Sequence, residues 1–188
     1  MSTLRVDNIT DLGDDPVVTA GVVDSAGLPA GSILQVVSTT KTDTYATGSV
    51  AAGAFDIQDV PGLSVSITPT STSSKILVSG TISIFGDTRP NFKVLRDGAD
   101  ITGAIGDADG SRARLTSGQF AGQNEQAAAT SFQFLDTPST TSTISYGVML
   151  HNGMSVAKTL YVNRGVSATD NSQIGRYISS ITVMEVAG

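Results

Sequence analysis

From about residue 31 onward the apolar side chains recur at every second position, and that period constrains the fold more than any other feature. In residues 75–85 one face carries Ile76, Val78, Gly80, Ile82 and Ile84, and the other carries Leu77, Ser79, Thr81, Ser83 and Phe85. Successive side chains of a strand point to opposite faces, so this segment reads as a half-buried antiparallel strand. The same period recurs at Leu63, Val65 and Ile67, at Phe92 and Val94, at Phe132 and Phe134, at Ile144, Tyr146, Val148 and Leu150, and at Leu160 and Val162. Residues 33–37 and 178–186 are further β-rich runs. In the second, Ile178 and Ile181 stand on opposite phases, which predicts a bulge or burial on both faces.

Pairs that accept positive φ sit between these runs. Asp97-Gly98 follows the run 92–96, Asp109-Gly110 precedes 111–115, and Asn152-Gly153 separates 144–151 from 154–162. The last pair predicts a β-hairpin with a tight turn. Only residues 123–129 hold a run of good helix formers, too short to stand as a helix. The expected fold is therefore all-β, an antiparallel β-sandwich of the jelly-roll kind, with an up-and-down barrel as the alternative. Residues 98–129, rich in Gly, Ala, Asp and Arg, are expected to run as surface loops and to be the first place to look for contacts.

Ahead of this body lies a segment of another kind, and two parts follow: an extended N-terminal arm and linker at 1–30, and a β-sandwich head at 31–188. The first 30 residues hold one cation, Arg5, against five carboxylates, Asp7, Asp11, Asp14, Asp15 and Asp24. They also carry Leu4, Val6, Ile9, Val17 and Val18 but have no room for a core of their own. Such residues are expected to be buried against another subunit or another protein and are the candidate anchoring residues. The alternative is a disordered tail.

The net charge of −6 argues against binding to nucleic acid, whose phosphates would be repelled. No apolar run approaches the ~20 residues that span a bilayer, so no membrane insertion is expected. The first residues lack the ~7–15-residue apolar stretch of a signal peptide, so export is not expected either. The absence of cysteine excludes a disulfide scaffold, a thiolate zinc site and a cysteine nucleophile. Ser and Thr make up roughly a quarter of the chain and charged residues only 15%, a composition closer to extracellular and virion proteins than to cytosolic ones.

Chemistry-bearing motifs are few. Asp107-Ala108-Asp109-Gly110-Ser111 echoes the start of a calcium loop but lacks the bidentate Glu near the twelfth position, and reads as an Asp-Gly turn or a contact loop. Arg112 and Arg114 stand where they would pair with these carboxylates across a turn or a subunit boundary. His151, the only histidine, is expected to be exposed at the Asn152-Gly153 turn. Gly153-Met154-Ser155-Val156-Ala157 resembles a nucleophile elbow, but its flanks are both strands, where that motif needs a helix after the turn. Gly103, Gly106 and Gly110 miss the dinucleotide-binding spacing. A sugar-stacking platform would have to use Tyr45, Tyr146, Tyr161 or Tyr177, of which Tyr146 and Tyr177 are expected in the core or an interface. No enzyme, metal or cofactor is expected. Asp107, Asp109, Arg112, Arg114, His151 and Asn152 are the candidate receptor contacts.

Several segments resemble a known class. Ser2-Thr3-Leu4-Arg5-Val6-Asp7-Asn8-Ile9 is similar to the opening of fibre and adhesin-type virion structural proteins of marine bacteriophages, cyanophages among them. Residues 28–37, 62–69, 73–78, 131–138, 161–164 and 180–187 look like the C-terminal β-domain of the same proteins. The resemblance spans nearly the whole chain. It implies a C1q-like jelly roll assembled as a homotrimer, anchored to other virion proteins of the tail or capsid through residues 1–30, and made in the bacterial host cytoplasm. A short tail fibre or spike that binds a host-surface glycan or protein is the expected function, with a head decoration or cement protein, or a head fibre, as the alternative. The chain departs from long fibres in having no glycine-triplet, heptad or β-helix repeat between arm and body.

Overall fold

The computed structural model describes residues 8–10, 16–19, 22–23, 28–86, 89–119, 129–167, 170, 172 and 175–188. In the arm, β1 (Asn8–Thr10), β2 (Pro16–Thr19) and β3 (Val22–Val23) form a three-stranded antiparallel sheet in which Ile9 pairs with Val18 and Val18 with Val23. The expectation of an extended arm is thus refined, because its described residues pair among themselves. Leu4 and Val6 lie outside the described residues, as do the five arm carboxylates.

The body is built from β4 (Ile33–Lys41), β5 (Tyr45–Ala46), β6 (Phe55–Ile67), β7 (Lys75–Gly86), β8 (Pro90–Arg96), β9 (Ala99–Asp100), β10 (Ser117–Gly118), β11 (Ala129–Asp136), β12 (Ile144–Asn152), β13 (Leu160–Val162) and β14 (Ser179–Val186). One sheet has the order β10-β8-β12-β6 with β9 on β8; the other has β4-β14-β7-β13-β5 with β11 also on β7. Leaving aside the short β5, β9 and β13, the strands pair first with last (β4 with β14), then β6 with β12, β7 with β11 and β8 with β10, all antiparallel. These are the four pairings of one long hairpin rolled into two facing sheets, which is a jelly roll.

The alternating pattern places the core between the sheets. Ile76, Val78, Ile82 and Ile84 of β7 face Val148, Leu150, Phe92 and Leu63, all fully buried. Gly80, on the same face of β7, leaves the space that Phe132 fills: a Cβ there would stand 2.7 Å from the Phe132 ring and 2.4 Å from the Ser180 carbonyl. Phe132 then meets Phe92 across the core, ring centroids 5.6 Å apart and edge-on, the geometry that aromatic quadrupoles favour.

Two polar clusters interrupt this apolar interior at the end where the chain enters the body. Asp136 of one sheet accepts the Tyr146 hydroxyl at 2.7 Å and the Arg96 guanidinium at 2.6 Å from the other. Burial first, then the bond to Asp136, pushes the Tyr146 phenol far above its ordinary value, so it stays a donor. Glu185 occupies the last inward position of β14 and is wholly buried. It accepts the Thr70 N–H, the Thr70 hydroxyl and the Ser74 hydroxyl, each at 2.7 Å, and the Gln35 amide at 2.5 Å. Burial alone would raise this carboxyl, but the bonds from Gln35, Ser74 and Thr70 outweigh it and hold it below 4.5.

Three local expectations are corrected. Asn152-Gly153 is no hairpin: β12 pairs with β6 and β8, β13 lies in the opposite sheet, and Gly153 is not among the residues with positive φ. The segment after Asn152 crosses between sheets, where the partners available to β12 override the local turn signal. The phase break at 178–181 arises because Ile178 stands outside β14, and the strand's irregularity lies instead at Glu185/Val186. Residues 98–119 are only partly loop, since Ile101 and Ala104 are buried against the core through a 3-10 turn at Thr102–Ala104. Asp97-Gly98 does form the expected tight turn, both residues at positive φ, between β8 and β9.

Candidate functional site

The rolled hairpin gives the body two ends. At one, the starts of β4 and β7 and the end of β14 meet, Val186 pairing with Ile33 and with Lys75. There the incoming chain is tied down by Gly31 N–H to the Ala187 carbonyl and by Ala187 N–H to the Ser32 carbonyl, both 2.8 Å. At the other end, Phe55 of β6 pairs with His151, Asn152 with Pro90, and Leu160 with Gly86. The connections 47–54 and 153–159 cover this distal end.

His151 and Asn152 lie beneath those connections, and both are buried. The expectation of an exposed turn is overturned, and neither side chain reaches solvent as a receptor contact must. The carbonyl of Gly53 accepts from His151 Nε2 at 3.1 Å, which fixes the proton on that nitrogen and leaves Nδ1 to accept from the Asn91 amide at 3.3 Å. Asn152 donates to the carbonyls of Val50, Ala51 and Val156 at 2.9, 3.1 and 2.9 Å, and its side-chain oxygen accepts the Met154 N–H at 3.0 Å. These two residues therefore hold the distal connections in place. Gly153 is closely packed: a Cβ would crowd the Asn91 side-chain amide at 2.6 Å and the Arg89 carbonyl at 3.0 Å.

Burial first, with the nearby Lys93 charge, pulls the His151 imidazole below 6.5, against the opposing bond to Gly53. A base whose folded pKa is depressed binds its proton more readily in the unfolded chain. Stability therefore falls as pH drops through the ordinary 6.5. The melting temperature is expected to be lower at about pH 5 than at about pH 7, with the slope flattened in His151→Gln. Thermal melts at the two pH values check this; equal slopes in both proteins would assign the effect elsewhere.

The other candidate contacts lie on the flank of the body. Asp107, Asp109 and Arg112 are exposed, and Arg112 Nε stands 3.3 Å from Asp109 across the Asp109-Gly110 turn. Both partners are so exposed that this pair contributes little to stability. Arg114 Nε donates to the Gly106 carbonyl at 2.6 Å, so it ties the loop to itself.

The periodicity did not reveal a row of apolar side chains on the outer face of the six-stranded sheet. Val36 of β4 is in register with Met184 of β14, Met184 with Leu77 of β7, and Leu77 with Leu135 of β11. Val36 and Leu135 are 55% and 49% exposed, and Ile33 stands beside them at 48%. The next rows of the same face are Ser38, Thr182, Ser79 and Gln133, then Thr40, Ser180, Thr81 and Ser131. The apolar stripe is thus bounded by hydroxyls on one side. Cross-strand register makes this row, and no single strand shows it.

The distal end also holds a cavity of about 640 Å³ lined by Tyr45, Ser49, Val50, Ala54, Phe55 and Asp56 among others. Tyr45 Oη donates to Asp56 at 3.1 Å, bridging β5 of one sheet and β6 of the other. Burial first, then Asp56, pushes the Tyr45 phenol up to about 12, so it remains a donor near neutral pH. Of the other tyrosines weighed for stacking, Tyr146 is buried, Tyr177 lies against Phe85, and Tyr161 has the Arg164 guanidinium over its ring at 4.5 Å. Among the described residues no three His, Asp or Glu side chains are grouped to hold a metal ion, and no helix is long and apolar enough to cross a membrane. The chain matches no protein family and no curated protein.

Proposed function

We propose that the protein is a non-enzymatic bacteriophage virion protein, a short tail fibre or spike whose N-terminal arm docks to the particle and whose β-sandwich, as a homotrimer, binds the host surface. The supporting observation is the placement of the parts. The chain enters the body at one end, the connections 47–54 and 153–159 cover the opposite end, and an in-register apolar row lies on the outer sheet face between them. An apolar row of this kind, with Val36 and Leu135 about half exposed, is what a subunit interface would bury. Three weak sites facing the same way at the tips of a trimer, repeated over several trimers, give firm adsorption without a deep pocket. Asp107, Asp109 and Arg112 remain contact candidates on the flank.

Removing residues 1–28 is expected to leave a folded trimer that no longer incorporates into particles, read by sedimentation equilibrium and by immunogold electron microscopy of intact phage. Incorporation of the truncated protein, or a monomeric full-length chain, would overturn the reading. Label over the head instead of the tail would assign the protein to capsid decoration.

A further inference from the structure

We infer that the cavity between β5, β6 and the 47–54 connection is a carbohydrate subsite that takes a neutral hexose unit, with Tyr45 as its apolar wall and Asp56 as acceptor for the sugar hydroxyls. This inference rests on the adhesin reading above and names the class of receptor. Its volume of about 640 Å³ is of the order of known small-ligand sites, roughly 300–1,000 Å³. The lining pairs aromatic and aliphatic surface from Tyr45, Phe55, Val50 and Ala54 with a few convergent polar groups. A sugar has the matching division, C–H faces and hydroxyl edges.

Charge selects among ligands. Asp56 in the wall repels phosphates and acidic sugars, while a carboxylate offers several acceptor positions to hydroxyl donors. A neutral polyol satisfies both the apolar wall and these acceptor positions.

The site is also built. The 47–54 connection is fixed by Val50 and Lys158 exchanging backbone bonds at 2.9 Å, by Gly53 N–H to the Met154 carbonyl at 3.1 Å, and by Thr47 N–H to the Leu160 carbonyl at 2.9 Å. From below, Asn152 holds the Val50 and Ala51 carbonyls and His151 holds that of Gly53. Two buried polar side chains thus serve one surface connection, which lowers the entropy cost of binding there.

The test is a two-dimensional NMR titration of the full-length, isotope-labelled chain with the methyl α-pyranosides of D-glucose, D-galactose and D-mannose in turn. At least one is expected to shift the amides of Gly48, Val50, Ala51 and Asp56 with a dissociation constant in the millimolar range. Asp56→Asn, which keeps the side-chain shape, and Tyr45→Ala, which removes the apolar wall, are each expected to weaken it about tenfold. No shift in these amides with any of the three sugars up to ~100 mM, or shifts that Asp56→Asn leaves unchanged, would overturn the inference. Adhesion to host cells separates the two readings. A full chain that adheres equally well as Asp56→Asn removes this subsite and keeps the adhesin. Sugar binding that Asp56→Asn weakens, in a protein that labels the phage head and adheres to no host cell, keeps the subsite and removes the adhesin.

Discussion

Glu185→Ala is expected to destabilise the body by about 2 kcal/mol, because it leaves the buried Ser74 hydroxyl without an acceptor at ~1–3 kcal/mol, while water replaces part of the bonds from the more exposed Thr70 and Gln35. The carboxylate's donors are the Thr70 N–H, the hydroxyls of Thr70 and Ser74, and the Gln35 amide, which also donates to the Thr68 carbonyl. For a body of this size that corresponds to a loss of roughly 4–8 °C in melting temperature, read by calorimetry. Glu185→Gln keeps the volume and one acceptor oxygen but turns an amide toward the Gln35 donor, so it is expected to fall between wild type and alanine. The carboxyl also sets the acid limit. Its folded pKa is held below 4.5, so its contribution is complete above that value and is lost as pH falls through the lower, folded pKa. This window lies below the one assigned to His151. A melting temperature unchanged in Glu185→Ala would mean that the 68–74 connection does not need this anchor.

Asp136→Ala is the second large effect, expected at about 3 kcal/mol, since charge-assisted hydrogen bonds contribute roughly 1.5–3 kcal/mol each and the Tyr146 hydroxyl is left buried and unpaired. The Arg96 side chain is 32% exposed, so water recovers part of its loss and the Tyr146 share dominates. The double variant Asp136→Ala/Tyr146→Phe is therefore expected to regain part of the loss, because removing both partners leaves no buried donor unmatched. Thermal melts of the two singles and the double check this; a double variant less stable than Asp136→Ala would overturn the assignment.

Much of the fold was legible from period alone. The runs at 63–67, 75–85, 92–94, 132–134, 144–150 and 160–162 all lie in strands, because an alternating face needs no knowledge of its partner. The first half of β6 was not legible. Pro61-Gly62 interrupts it, yet the strand continues through a bulge in which Asp59 pairs with Met149, Ser64 pairs with Gly147, and Gly62 takes a φ of 73°. Proline is tolerated there because a bulge asks for no ladder bond from it. The site was less legible for the same reason. Asn152 is buried because carbonyls from 50, 51 and 156 converge on it, and no local pattern records that convergence. Tyr45 was noted only as one tyrosine of four, since its partner Asp56 belongs to the opposite sheet. Glu185 sits at an inward position of β14, where periodicity calls for an apolar residue, and only its four donors explain it.

The position of β14 has a consequence for how the protein is made. This strand is the last of the described ones, yet it lies between β4 and β7 and pairs with both. Until it leaves the ribosome, those two strands have no bridge and the six-stranded sheet cannot close, so folding of the body waits for β14. Pairing first with last also means contacts of long sequence separation, which fold slowly. Throughout that interval the apolar halves of both sheets are open to other nascent chains. A body of this topology thus closes only once β14 has been made, and a chain cut off before β14 leaves β4 and β7 unbridged, with their apolar faces open to aggregation and proteolysis.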